Sequence, residues 1–207
     1  MLFALSRVQR GLEALYRVET ELDINDFLID SDTRATFGVS RHAREQLLLS
    51  QAGDVGLFVC DTVLSNLGRN DPARRLDDSN FGDFLLAVEG VSHFVYLAWK
   101  ASVEHRVSGL ELELQAEIDK YVTLILHDDD LDHHALHRRL FYGFELEPDL
   151  CDEERHRYLK ANRTAASYTS WLASTFLSGG KIAELLAEVR RFYRMPLAHK
   201  LSHVSAL

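Results

Sequence analysis

The sequence predicts an α+β protein, predominantly α-helical, in which a small amino-terminal antiparallel β-hairpin or sheet element packs on a five- or six-helix array. Three observations carry this. Leucine-rich and β-branched runs at 45–50 and 55–60 flank a Gly53-Asp54 turn, the pattern of a hairpin. From Asn80 onward apolar residues recur at helical spacing. The long segments end where helices end, at Gly143, Gly179-Gly180 and Pro196.

Taken in order, Ser6 to Arg17 reads as a short helix through Val8, Leu12 and Leu15. Ile24 to Ile29 and Thr36 to Ser40 read as short strands, and the hairpin follows. A short helix over Thr62 to Leu67 gives way to the breaker Gly68-Arg-Asn-Asp-Pro72 and a polar connector. Asn80, with Asp83 three residues on, caps a helix running to about Ser102. Ser108 caps the next, which ends near His127. A third spans about Asp130 to Tyr142, and a fourth runs from Asp152 to Leu177. The fifth, Lys181 to Arg194, places Ile182, Leu185, Leu186, Val189 and Tyr193 on one face, and a last turn carries Leu197, Leu201 and Val204. The organisation expected is an α+β element over 1–68 and a helical array over 80–207, in one globular unit.

With 207 residues, 46% of them hydrophobic, and three prolines, the chain has the composition of a folded domain with a real core. Cys60 and Cys151 are too isolated for a disulfide framework, which points to a reducing compartment. Met1-Leu-Phe-Ala-Leu-Ser-Arg7 lacks the basic start of a signal peptide. The run Phe94 to Trp99 is short for a membrane span. A cytoplasmic protein of bacterial type, with no membrane partner, is the expectation.

The net charge of −9 is unevenly spread. Residues 109–154 hold 14 acidic and 3 basic side chains, whereas 155–207 hold 9 basic and 2 acidic. The acidic total argues against nucleic acid, which needs a basic face. The two blocks are expected to complement each other within the chain or across a subunit interface. Arg190-Arg-Phe-Tyr-Arg194 interleaves cations with aromatics; the reading preferred is that Phe192 and Tyr193 pack inward while the arginines answer partners elsewhere.

The most unusual segment is Leu110 to Leu126. On a helical wheel Leu110, Leu114, Ile118, Tyr121, Val122, Leu124 and Ile125 form one apolar arc. Glu113, Asp119, Lys120 and Thr123 fall opposite, toward water, but Glu117 and Glu111 land within the arc. A carboxylate on a core-facing arc is costly unless paired. Glu111 lies in the first turn and can reach water, so Glu117 is the main anomaly. The fourth helix carries Asn162 inside its apolar arc and Arg155 on the edge, and a guanidinium holds a carboxylate bidentately. A buried polar network of Glu117, Arg155 and Asn162 is therefore expected, fixing helix register.

Three further patterns bear on chemistry. In His127-Asp-Asp-Asp-Leu-Asp-His-His-Ala-Leu-His137, His133 and His137 are one turn apart and Asp130 precedes them, a candidate metal set. The acids there also suit a helix amino terminus. Glu153-x-x-His156 is the one match to the spacing of di-iron helix bundles. Glu89 and His93 lie on a nearly all-apolar helix, in a narrow polar stripe with Ser92, Tyr96 and Lys100. That stripe is either the wet side of the helix or the wall of a pocket, with Glu89 as acid/base and His93 as its partner. No nucleophile elbow or phosphate-binding glycine pattern occurs, and Cys60, with no basic residue beside it in sequence, reads as inert.

Two functions follow as expectations. The first is a non-catalytic interaction, accessory or regulatory protein, acting on a protein partner or as a homo-oligomer. The alternative is an enzyme or small-ligand-binding protein with an interhelical pocket using Glu89, His93, Glu117 and Arg155; no particular cofactor is indicated.

Overall fold

The computed structural model describes residues 3–37, 43–50, 52–127, 132–143, 146 and 150–207. It is mostly helical with a small sheet. In chain order the elements are α1 (Phe3–Tyr16), a 3-10 turn (Ile24–Phe27), β1 (Leu28–Ile29), α2 (Ser31–Thr36), β2 (Glu45–Leu49), β3 (Val55–Val59), α3 (Asp61–Arg69), α4 (Phe81–Ser102) and α5 (Gly109–His127). There follow α6 (His133–Phe141), α7 (Asp152–Thr175), a 3-10 turn (Leu177–Gly179), α8 (Ile182–Arg194) and α9 (Leu197–Ser205). The chain divides into two compact units, one of Met1–Glu13 and Glu19–His105, the other of Ala14–Val18 and Arg106–Leu207. The helix α4 thus belongs with the amino-terminal unit.

In that first unit the expected hairpin is present. β2 and β3 pair antiparallel from Glu45 opposite Val59 to Leu49 opposite Val55. Gly53 takes a φ of 95°, which favours glycine, and Ser50 Oγ accepts from the Asp54 amide at 2.9 Å to close the turn. The sheet is not purely antiparallel as expected: β1 joins the other side of β3 in parallel, Leu28 opposite Leu57, in the order β1-β3-β2. A two-residue strand has too little alternation to reveal its partner or direction.

Thr36 and Phe37 are not strand. The Asp30 side chain accepts from the Thr33 amide at 2.8 Å and caps α2, so a local cap outweighs the β-preference of Thr36 and Phe37; the rest of that expected strand lies outside the described residues. Ile24–Phe27, expected as strand, is a 3-10 turn capped by Asp23.

The helix α4 starts where expected, but Asn80 does not cap it through its side chain. Its carboxamide instead accepts from the Asp77 amide and donates to the carbonyls of Asn70 and Arg75, organising the connector. Asp83, in the first turn, receives Arg44 at 2.6 Å and Asn66 at 2.7 Å. By length and composition α4 could cross a membrane, yet most of its apolar window is buried within the protein. It packs on β2, β3 and α3, and its Phe94 ring meets Phe27 at 4.9 Å.

In the second unit α5 and α7 form the central pair, with α6 against both and α9 against α7. Ala161 and Ala165 of α7 are buried, as is the apolar arc of α5 from Leu114 to Ile125. The wheel of α5 is wrong on its other side. Glu113 and Asp119, expected in water, are buried together with Glu111 and Gln115, so α5 is covered around nearly its whole circumference. Segment 14–18 supplies the cover for Asp119: the Tyr16 hydroxyl donates to its carboxylate at 2.5 Å, and the Tyr16 ring stacks on Tyr193 at 3.8 Å.

Candidate functional site

The feature that stands out in the first unit is the polar stripe of α4. It is not the wet side of the helix: Ser92, His93, Tyr96 and Lys100 are all buried, and Glu89 is half-buried. Glu45, the first residue of β2, lies across α4 at Gly90, where a Cβ would stand 2.8 Å from both Cγ and Oε1 of Glu45. A side chain at that point would have to displace the Glu45 side chain, so the glycine, at a cost of about 1 kcal/mol in helix propensity, leaves room for that carboxyl. The seat it opens brings Glu45 Oε1 to 3.8 Å from His93 Nδ1, with both side chains nearly excluded from solvent. This is longer than a hydrogen bond but a close electrostatic contact. One helical turn before His93, Glu89 brings a carboxylate oxygen within 4.8 Å of a ring nitrogen of the same imidazole. A buried imidazole with two carboxylates close by can move a proton or hold a cation. Glu89 and His93 were legible in the sequence. Glu45 was not, because only the hairpin and the Gly90 seat bring it there.

The second unit contains two polar clusters that sequence reasoning missed. In the first, Lys200 is fully buried and its Nζ donates to Gln115 Oε1 at 2.8 Å. Gln115 Nε2 donates in turn to Asp119 Oδ1 at 2.8 Å, one helical turn on. Burial and the Asp119 carboxylate hold the Tyr16 phenol well above its usual pKa. The one local signal was the Gln115–Asp119 spacing on α5. Lys200 and Tyr16 come from opposite ends of the chain. In the second cluster, Glu188 accepts from Arg191 at 2.7 Å, from His203 Nε2 at 3.0 Å and from the Tyr168 hydroxyl at 3.3 Å. Tyr168 stacks on Phe192 at 4.0 Å, and burial, then Glu188, raises its phenol pKa. This cluster ties α7, α8 and α9 together.

The expected network of Glu117, Arg155 and Asn162 does not form. Glu117 pairs with Lys120, one turn along its own helix, at 2.7 Å. Arg155 lies in the exposed first turn of α7, and Asn162 is buried with no hydrogen-bond partner for Nδ2 among the described residues. Among the described residues no hydrogen bond or ion pair joins Glu117 to either. The nearer, partly solvated lysine captures the carboxylate at less desolvation cost than a buried arginine would.

Of the candidate metal set on α6, Asp130 lies outside the described residues. His137 Nε2 donates to the Ala166 carbonyl at 2.9 Å, so that nitrogen serves the packing of α6 on α7. His133 is half-buried, and its Nδ1 has no hydrogen-bond partner among the described residues. Glu153 and His156 are both exposed in the first turns of α7.

Arg190 and Arg194 donate to the Leu15, Tyr16 and Arg17 carbonyls at 2.6 to 3.1 Å, capping the end of α1. Phe192 and Tyr193 are buried, as the packing reading of this stretch expects. The acidic and basic blocks meet within this unit where Arg157 approaches Glu113 at 3.9 Å.

Cys60 departs from its inert reading. It sits at the amino terminus of α3, where the Thr62 hydroxyl and backbone amide lower its thiol pKa, with help from Arg44. Arg44 is adjacent because the Cys60 amide donates to its carbonyl at 2.8 Å, extending the β2–β3 ladder. Compared with family models, curated proteins and solved structures, the chain matches none.

Proposed function

We propose that the protein is an enzyme or small-ligand-binding protein whose chemistry rests on His93, with Glu89 as the acid/base group and Glu45 as the carboxylate that orients the imidazole. The observation that carries this is the buried His93 with the carboxylates of both Glu45 and Glu89 close to its ring nitrogens, Glu45 seated against Gly90 of the same helix. Grouping ionisable side chains away from solvent is costly in stability, and their pKa values become tunable there, which is what proton transfer near neutral pH requires. Glu117 and Arg155 drop out of this reading.

The test is a thermal-shift screen of small carboxylates, amines and phosphate esters on the intact chain and on Glu89→Gln and His93→Asn. A specific ligand at about 100 times its Kd adds about 2.7 kcal/mol, or roughly 5–10 °C in Tm for a chain of this size. The expected result is a ligand whose shift both variants lose while keeping their ligand-free folding. Shifts that survive both substitutions would sink the proposal.

A second reading, a non-catalytic interaction protein or homo-oligomer, is favoured by large apolar side chains left in solvent on the helical unit. Tyr142, after α6, is 76% exposed, and Leu126, in the last turn of α5, is 40% exposed. If it holds, native mass spectrometry finds an oligomer that Leu126→Ser with Tyr142→Ser dissociates; a monomer throughout the micromolar range rules it out.

A further inference from the structure

We infer that the His93 site takes a divalent transition-metal ion of the zinc class, ligated by His93 and Glu89 and steadied by Glu45 from outside the coordination shell. The inference rests on the reading above and names the cofactor of that same site.

Spacing comes first. Glu89 and His93 stand one turn apart on a 22-residue helix, so their separation is set by rigid backbone. Their nearest ligand atoms lie within 4.8 Å of each other. Two donors each about 2.1 Å from one ion stand about 3.0–3.4 Å apart, a gap that side-chain rotation alone closes.

The second support is the outer carboxylate. Metal-bound histidines almost always give their second ring N–H to a carboxylate, carbonyl or water, which fixes the tautomer and aims the other nitrogen at the ion. Glu45 Oε1 faces His93 Nδ1 at 3.8 Å and is held there by β2 on one side and the Gly90 seat on the other. With the proton on Nδ1, Nε2 is the nitrogen that carries the lone pair.

Donor type narrows the ion. One imidazole nitrogen and one carboxylate oxygen, with no thiolate, suit zinc, cobalt(II), manganese(II) or iron(II) and disfavour copper(I).

The experiment uses the full chain, stripped by chelation and dialysis, and titrates Co2+ while its ligand-field absorption is recorded, followed by displacement with Zn2+. A single saturable site per chain is expected, with visible bands that zinc abolishes. Glu45→Gln, which keeps an acceptor for Nδ1, should retain the stoichiometry and weaken binding about 10- to 100-fold. His93→Gln should lose the bands. Should that buried substitution disturb folding, judged by circular dichroism, the half-buried Glu89→Gln carries the same test and should also lose them. Absence of saturable binding to the wild type, or bands unchanged in Glu89→Gln, overturns the inference. A wild type that binds a screened ligand but no cobalt overturns the metal alone and leaves the acid/base reading standing; failure of both removes the site.

Discussion

Replacing Lys200 with methionine is expected to destabilise the helical unit by about 3–5 kcal/mol, the usual cost of removing one member of a buried charged network. Lys200 is 0% exposed, and its ammonium reaches the Asp119 carboxylate through the Gln115 carboxamide, with Tyr16 closing the chain on the far side. Methionine is close to lysine in length and fills the same space, so little of the loss comes from a cavity. Urea unfolding should show a lower midpoint at an unchanged slope. Adding Asp119→Asn should recover part of the loss, because the two changes act on one network and are not additive. A loss below about 1 kcal/mol would mean that the network tolerates a missing cation, against its burial.

Raising the pH above about 10 should unfold the same unit cooperatively. The phenols of Tyr16, Tyr121 and Tyr168 all have pKa values above the usual 10.0, with Tyr121 pushed up by burial to about 12. The unfolded chain releases these protons near pH 10 while the folded chain keeps them, so the stabilisation is complete below pH 10 and is lost as pH rises toward the folded values. Each such group removes about 1.4 kcal/mol per pH unit within that window, and three together about 4. Tyrosinate absorbance and far-ultraviolet circular dichroism should therefore change in one coincident transition. Tyr121→Phe should lower the pH dependence by about one third. That substitution should cost little stability, since the buried Tyr121 hydroxyl has no hydrogen-bond partner among the described residues. Smooth titration of all three phenols with intact ellipticity would contradict the burial assigned to them.

The contrast between α4 and α5 shows how far periodicity reaches. On α4 the polar stripe was visible, and so were its two chemical members, because Glu89 and His93 interrupt an otherwise apolar pattern. What the stripe does turned on Glu45, 44 residues before Glu89 in the chain. Its arrival depends on the β2–β3 register and on a glycine that sequence alone offers no reason to prize. On α5 the wheel divided the helix into a core arc and a wet arc. That division assumes a helix covered from one side, and α5 is covered around nearly its whole circumference. Asp119 looked like a solvent residue for this reason, and Glu117 looked buried when its partner Lys120 was already three residues away. Arg155 failed as a partner because an arginine in a first helical turn finds water more cheaply than a buried acid.

The long helices, their stops and the hairpin were encoded within short windows: Pro196 follows the end of α8, and Gly53 turns the hairpin. These are local free energies, settled among residues a few positions apart, so a linear reading recovers them. The parallel partner of β1, the burial of Asp119 with Lys200 and the seating of Glu45 over Gly90 are settled between segments far apart in the chain. Each depends on which surfaces meet, and a buried charge is permitted only where another element delivers its partner at the right distance. The pattern of apolar residues says that such surfaces exist; packing alone says which charges they enclose.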